Sequence, residues 1–96
     1  MALKTTPFDP AEYLEDEASC TNYLNSAFES GDPAIIADAL GVIARAKGMS
    51  SVAKETDLGR ESLYKALSKK GNPEFGTIIK VMSSLGLQLT AKSGRR

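Results

Sequence analysis

Histidine is absent from this 96-residue chain, and cysteine occurs once, at Cys20. Without histidine the commonest general base is missing, so Ser-His-Asp and Cys-His arrangements cannot be built. A single cysteine cannot close an internal disulfide, and a structural zinc site lacks its usual nitrogen and sulfur ligands. Long apolar runs are missing too, since nothing approaches the roughly 20 residues that a membrane span needs. Met1 to Thr6, followed by Pro7 and an acidic run, holds no apolar stretch of signal-peptide kind. Internal repeats and low-complexity tracts are also lacking. These absences argue against an enzyme, a cofactor, a metal site or a membrane partner, and predict a cytoplasmic protein. Cys20 reads as a small core filler, because redox sensing would need a basic neighbour to lower its pKa.

The composition is that of one folded domain, with 42% hydrophobic and 25% charged residues. The formal net charge of zero conceals a strong polarity. Met1 to Leu40 carries eight acidic residues against one basic, about −7, whereas Gly41 to Arg96 carries four acidic against eleven basic, about +7. Such an asymmetry suggests an acidic arm on a basic, nucleic-acid-binding body, or charge balance within the molecule.

The apolar spacing predicts an all-α chain. Asp9, Pro10 and Glu12 form a helix-start signal for a short helix reaching about Glu17. A second helix is expected from about Ser19 to Ser30, with Tyr23, Leu24, Ala27 and Phe28 as its stripe and Gly31 as its stop. Asp32 and Pro33 open the longest helix, in which Ile35, Ile36, Ala39, Leu40, Val42, Ile43 and Ala46 make a broad apolar face ending near Lys47 and Gly48. Two short helices follow, about Ser50–Thr56 and Arg60–Lys69, separated by Asp57, Leu58 and Gly59. Asn72 is expected to cap a last helix carrying Phe75, Ile78, Ile79, Met82 and Leu85. Beyond Gly86, Leu87, Leu89 and Ala91 alternate with Gln88 and Thr90 in the period of a short strand. A lone strand would pair across a dimer or remain an extended tail.

The two short helices have the pattern of a helix-turn-helix between Ser50 and Ser68. Ala53 is the small residue the helix crossing needs, Val52 and Leu58 bracket the turn, and Leu63, Ala66 and Leu67 anchor the second helix inward. Asp57 stands where this motif often has glycine, and aspartate tolerates the left-handed backbone better than most residues. Gly59 is a second place where strain could be relieved. Arg60, Glu61, Ser62, Tyr64, Lys65 and Lys69 are left facing outward.

In that setting Arg60 can donate two hydrogen bonds to guanine, or can merely decorate the helix surface. Tyr64 can reach a phosphate or cover the core edge. Lys54, Lys65, Lys69 and Lys70 are candidate phosphate neutralisers, although a lysine-bearing face is also what solvation alone produces. Ser50 and Ser51, at the start of the first motif helix, can meet a phosphate there or serve as ordinary caps.

Nearly the whole chain resembles the HigA-type addiction-module antidote proteins. The residues that carry the resemblance are Gly31-Asp32-Pro33 with the Ile/Ala-rich helix after it, Ala44-Arg45-Ala46-Lys47-Gly48-Met49, Arg60 to Ser68, and Gly71-Asn72-Pro73-Glu74-Phe75. Spacing and resemblance together predict an all-α, lambda-repressor-like five-helix orthogonal bundle with a helix-turn-helix, an extra N-terminal helix or helices and a short C-terminal strand-like segment. The resemblance also implies an antitoxin that neutralises a RelE/HigB-like ribonuclease toxin and represses its own operon. One short recognition helix makes few base contacts, so a homodimer on an inverted-repeat DNA operator is expected. A stand-alone phage-type repressor without a toxin partner is the alternative. Three regions follow: an acidic helical arm over 1–31, the DNA-binding domain over 32–91 and a disordered tail over 92–96. An RNA-cleaving toxin should present a positive face, to which Glu12, Glu15, Asp16 and Glu17 are complementary, with Phe8 and Tyr13 as apolar anchors among them.

Overall fold

Residues 17–94 are described by a computed structural model, and among them lie five α-helices and no strand. The first, α1 (Glu17–Ser30), stops where Gly31 takes a left-handed φ of 71° and donates its N–H to the Phe28 carbonyl at 3.0 Å. It begins slightly earlier than the expected Ser19, and the separate short helix expected from Asp9 lies outside the described residues. Asp32 then caps α2 (Pro33–Lys47), its Oδ1 accepting the Ala34 N–H at 2.9 Å while Pro33 fills the first helical position. A single residue, Gly48 at φ 113°, closes α2 and opens α3 (Met49–Thr56). That conformation is open to glycine and strained for most other residues. Gly48 therefore takes the N-terminal position of α3 that the sequence pattern assigned to the serines.

The central helix is α2, which contacts α1, α3, α4 and α5. It buries Ala37, Ala39, Leu40, Gly41, Val42, Ile43 and Ala44. Ile35 and Ala46, expected on the same apolar face, are exposed instead. The deepest side chains are Leu40 and Ile43 of α2, Cys20 of α1, Leu63, Leu67 and Val81. Fully burying one such aliphatic side chain contributes about 1.5–3 kcal/mol, so this small set carries much of the stability. Where α1 meets α2, burial pushes the Tyr23 phenol above its usual pKa, Asp38 adding to the shift and Arg45 opposing it.

Between α3 and α4 (Arg60–Ala66) the chain turns through Asp57, Leu58 and Gly59. Asp57 has φ 61° and ψ 30°, the left-handed conformation expected of it, and its N–H donates to the Ala53 carbonyl. The Leu58 N–H reaches the same carbonyl at 3.2 Å. Gly59 relieves no strain, since its φ of −69° and ψ of 145° are ordinary extended values. The turn is held from within by Thr56, which is buried and whose hydroxyl donates to the Val52 carbonyl at 2.7 Å.

Two boundaries differ from the sequence pattern. Helix α4 ends at Ala66 rather than Lys69, because the chain folds back over its end. Gly71 comes so close to the Lys65 and Ala66 carbonyls that a Cβ there would overlap them, and its N–H donates to Ser68 at 2.9 Å. The last helix, α5 (Phe75–Ser84), takes Glu74 as its N-terminal flanking residue with no side-chain cap, so Asn72 does not play the expected role. Its buried face consists of Val81 and Met82 with Leu85 just beyond, and Ile78 packs partly against them. Phe75 and Ile79 flank that face rather than joining it, and are 65% and 40% exposed.

After Gly86, at φ 77°, the Leu87 N–H donates to the Met82 carbonyl at 2.9 Å and Leu87 packs against the core. Leu87–Ala91 form no strand, since an isolated extended segment of a helical chain finds no edge to pair with. Lys92, Ser93 and Gly94 are exposed, and residues 95–96 lie outside the described part. Among the described residues no helix is long and apolar enough to cross a membrane, and no group of three or more acidic, histidine or cysteine side chains could hold a metal ion.

Two helices approach each other closely at Gly41 of α2, where a Cβ would overlap the Leu67 carbonyl oxygen at the end of α4. Gly41→Ala should therefore destabilise the fold by about 1–3 kcal/mol. Gly76→Ala, on α5 with open space around it, should leave stability unchanged or raise it by up to ~1 kcal/mol. Urea midpoints at constant slope check both. At the turn, Asp57→Ala should cost about 1 kcal/mol, whereas Asp57→Gly should cost less or stabilise. Equal losses for the two variants would show that the backbone conformation of Asp57 is not what its side chain is accommodating.

Candidate nucleic-acid interface

The site is built outward from two buried leucines. Leu63 and Leu67 are four residues apart and almost fully buried, so one side of α4 faces α2 and α3. The helix geometry then leaves Arg60, Glu61, Ser62, Tyr64 and Lys65 outward, and all five are exposed. Val52 is buried from the α3 side, and Ala53 and Leu58 are half-buried against the core. Ala66, expected inward with them, is only half-buried and is not among the residues packed against the core.

Along α4 the Arg60 guanidinium carbon lies 6.0 Å from the centre of the Tyr64 ring. Exposed cation–π contacts of this kind contribute about 0.5–1 kcal/mol. Their larger effect is geometric, since each side chain limits the other's rotamers and Arg60 is held along the helix surface. Tyr64 is 43% exposed, so much of its side chain stays open to solvent on this face. Glu61, Ser62 and Lys65 line one shallow concavity on the same face.

The remaining predicted residues are distributed around this face. Ser50 and Ser51 are the second and third residues of α3, both exposed, and neither is its cap. Lys54, further along α3, is exposed as well. Lys69 and Lys70 fall beyond the end of α4, in the turn that folds back over it. Lys69 lines a different cavity, of about 320 Å³, with Tyr23, Ser26 and Asp38 of the α1–α2 side. The structure therefore gathers Arg60, Glu61, Ser62, Tyr64 and Lys65, and sets Lys69 apart from them. Of the residues expected to face a toxin, Phe8, Glu12, Tyr13, Glu15 and Asp16 lie outside the described part, and Glu17 is the first residue of α1.

Two positioning residues were not singled out by the sequence pattern. Gly41 lets α2 lie against the end of α4, and its signal was a glycine inside an otherwise apolar helix. Thr56 closes α3 through its back-bond, for which a threonine near a helix end is only a weak sign. Chemically the surface offers charged and polar donors on two short helices, with exposed Lys54 of α3 and Arg60 and Lys65 of α4 against Glu55 and Glu61.

The model of a family described as probable addiction module antidote protein matches residues 4–93. An uncharacterised protein of Haemophilus influenzae Rd is 46% identical over 95 residues, covering 99% of this chain and 98% of its own length. No solved structure matches the chain significantly. A match spanning nearly all of the chain, joined by a relative of almost the same length, places it plainly: the chain belongs to the family of probable addiction module antidote proteins.

Proposed function

We propose that this chain is the antitoxin of a type II toxin-antitoxin module, and that it represses its own operon by reading an inverted-repeat operator through α3 and α4. In this reading α3, the turn at Asp57 and α4 form a helix-turn-helix in a lambda-repressor-like bundle, and α4 enters the major groove. The observation that carries it is the exposed face of α4, where Arg60, Glu61, Ser62, Tyr64 and Lys65 stand outward from two buried leucines. Arg60 donates to guanine, Lys65 and Lys54 neutralise phosphates, and Ser50, Ser51, Ser62 and Tyr64 offer hydroxyls to the backbone. Membership of an antidote family supports a toxin partner, for which we infer a RelE/HigB-like ribonuclease. The acidic N-terminal region is the complementary surface for such a basic partner. The role assigned is binding, not catalysis.

A short recognition helix makes few base contacts, so the operator is read by two copies on half-sites about one helical turn, roughly 34 Å, apart or a multiple of it. Arg60→Ala should relax sequence preference and cost on the order of 1–3 kcal/mol on the operator. Lys65→Ala should weaken all sequences alike and lower the salt slope by about one unit. Anisotropy titrations on the chain's own upstream region and on random DNA, over a salt series, separate the two. Equal losses on both DNAs for Arg60→Ala would remove it from base readout.

Deletion of residues 1–16, which stops short of α1, should abolish toxin neutralisation in a growth-rescue assay with the neighbouring toxin gene while operator affinity is kept. Neutralisation that survives the deletion would place the toxin surface elsewhere.

A further inference from the structure

Among the five exposed residues of α4, Glu61 is the one that carries a negative charge, and the proposed operator readout gives it no task. It is the second residue of the helix, in the first turn, and the first turn of a recognition helix is the part that meets base edges. A helix turns by about 100° per residue, so this face of α4 presents two adjacent rows of side chains. In one row Arg60 lies along Tyr64, its guanidinium carbon 6.0 Å from the ring centre. In the other, Glu61 shares a concavity with Ser62 and Lys65. Lys65 stands four residues on, the spacing of a helical ion pair, yet among the described residues Glu61 forms no ion pair.

A carboxylate in this place lowers affinity for any duplex, because it faces the phosphate charge that Lys54, Arg60 and Lys65 neutralise. It also sits well at the positive end of the α4 dipole, which is a role in the fold alone. The two roles predict opposite signs when the charge is removed, since loss of repulsion strengthens non-specific binding and loss of a helix-start contact weakens all binding. The bases differ in what they offer a carboxylate. In the major groove cytosine presents only a donor, its 4-amino group, whereas guanine presents two acceptors, thymine presents one, and adenine sets its N7 acceptor beside its 6-amino donor. An ionised carboxylate only accepts, so it gains a hydrogen bond at cytosine and meets lone pairs at guanine and thymine. Such a group selects by rejection as well as by attraction. We propose that Glu61 is a specificity-determining residue of α4 that reads one cytosine per half-site through its 4-amino group, while lowering affinity for DNA in general. This rests on the operator reading and adds a base to it.

The test is selection of binding sites from a random duplex pool by the full chain, by Glu61→Gln and by Glu61→Ala, with circular dichroism and unfolding midpoints recorded for all three. The wild type should enrich half-sites with a fixed cytosine, preferred there over the other bases by about fivefold or more. The glutamine amide pairs a donor with an acceptor in the arrangement that suits adenine, so Glu61→Gln should exchange that cytosine for adenine, and Glu61→Ala should leave the position degenerate. Both variants should bind random-sequence duplex more tightly than the wild type at low salt, since a charge facing phosphate is gone. A wild-type site that both variants select unchanged would overturn the assignment and leave the operator reading intact. Weaker binding of both variants to every sequence, with a lowered unfolding midpoint, would make Glu61 a helix-start residue and overturn it as well. A wild type that enriches no sequence removes the operator reading and the assignment with it.

Discussion

The approach of α2 to the end of α4 is the constraint on which the rest of the molecule depends. At Gly41 the side chain has been reduced to a hydrogen so that the Leu67 carbonyl can rest against the helix. That contact sets how far Leu67 sinks between α2 and its neighbours, and Leu67 in turn fixes the azimuth of α4. Rotating a helix to accommodate one additional methyl group would move every outward residue with it. The exposure of Arg60, Tyr64 and Lys65 is thus a consequence of a buried glycine on another helix, about 20 residues earlier in the chain. Close packing makes interiors transmit such displacements rather than absorb them.

The parts of the fold that were legible in the sequence are those specified by backbone chemistry local to a few residues. Asp32 and Pro33 announced the start of α2, Gly31 and Gly48 its surroundings, and Asp57 the left-handed turn, because in each case one residue's own side chain or lack of one settles the conformation. The failures share the opposite character. Asn72 is a good cap by type, yet α5 starts after Glu74, since the chain is already committed by the close pass of Gly71 over Ala66. Lys69 continues a helical pattern that the same pass interrupts. Phe75 and Ile79 have core-like identity and helical spacing but stay exposed, because periodicity says which residues share a face and not whether another element arrives to cover it. In the site, the inward leucines could be read from spacing, whereas the separation of Lys69 from the α4 face could not.

Charge and shape are distributed differently along this chain. The acidic excess is concentrated before Leu40 and the basic excess after Gly41, and the described part of the acidic half carries Glu17, Glu29, Asp32 and Asp38 while also giving Cys20, Leu24 and Ala27 of α1 to the core beside α2. The basic residues Lys54 of α3 and Arg60 and Lys65 of α4 are exposed on the packed body. Exposed charges more than about 8–10 Å apart are largely screened from one another at physiological salt, so only charges brought close by the fold neutralise each other. Intramolecular neutralisation would need the two runs to meet, and Lys69 near Asp38 is a place where basic and acidic residues do share a cavity.

The shortness of α3 and α4 decides how any loss of binding must be interpreted. With eight and seven residues, neither is long enough to be helical on its own, since isolated helices below about 12–15 residues are marginal in water. Their helicity is lent by Val52, Leu63 and Leu67 in the shared core. The exposed face consequently exists only to the extent that the core is intact, and a cavity at Leu40 or Ile43 weakens it without touching any ligand. A contact residue and a core residue are told apart by temperature. On the proposed reading, a substitution at Arg60 removes its DNA contact at every temperature while leaving the unfolding transition in place, because that side chain is exposed and its Tyr64 contact contributes little to stability. A truncation at Leu63 spares the contacts of the folded fraction and acts by shifting the fraction itself, so its effect on binding must vanish wherever the protein is still fully folded. Affinity measured well below the transition therefore isolates the chemistry of the α4 surface from the packing that holds it in place.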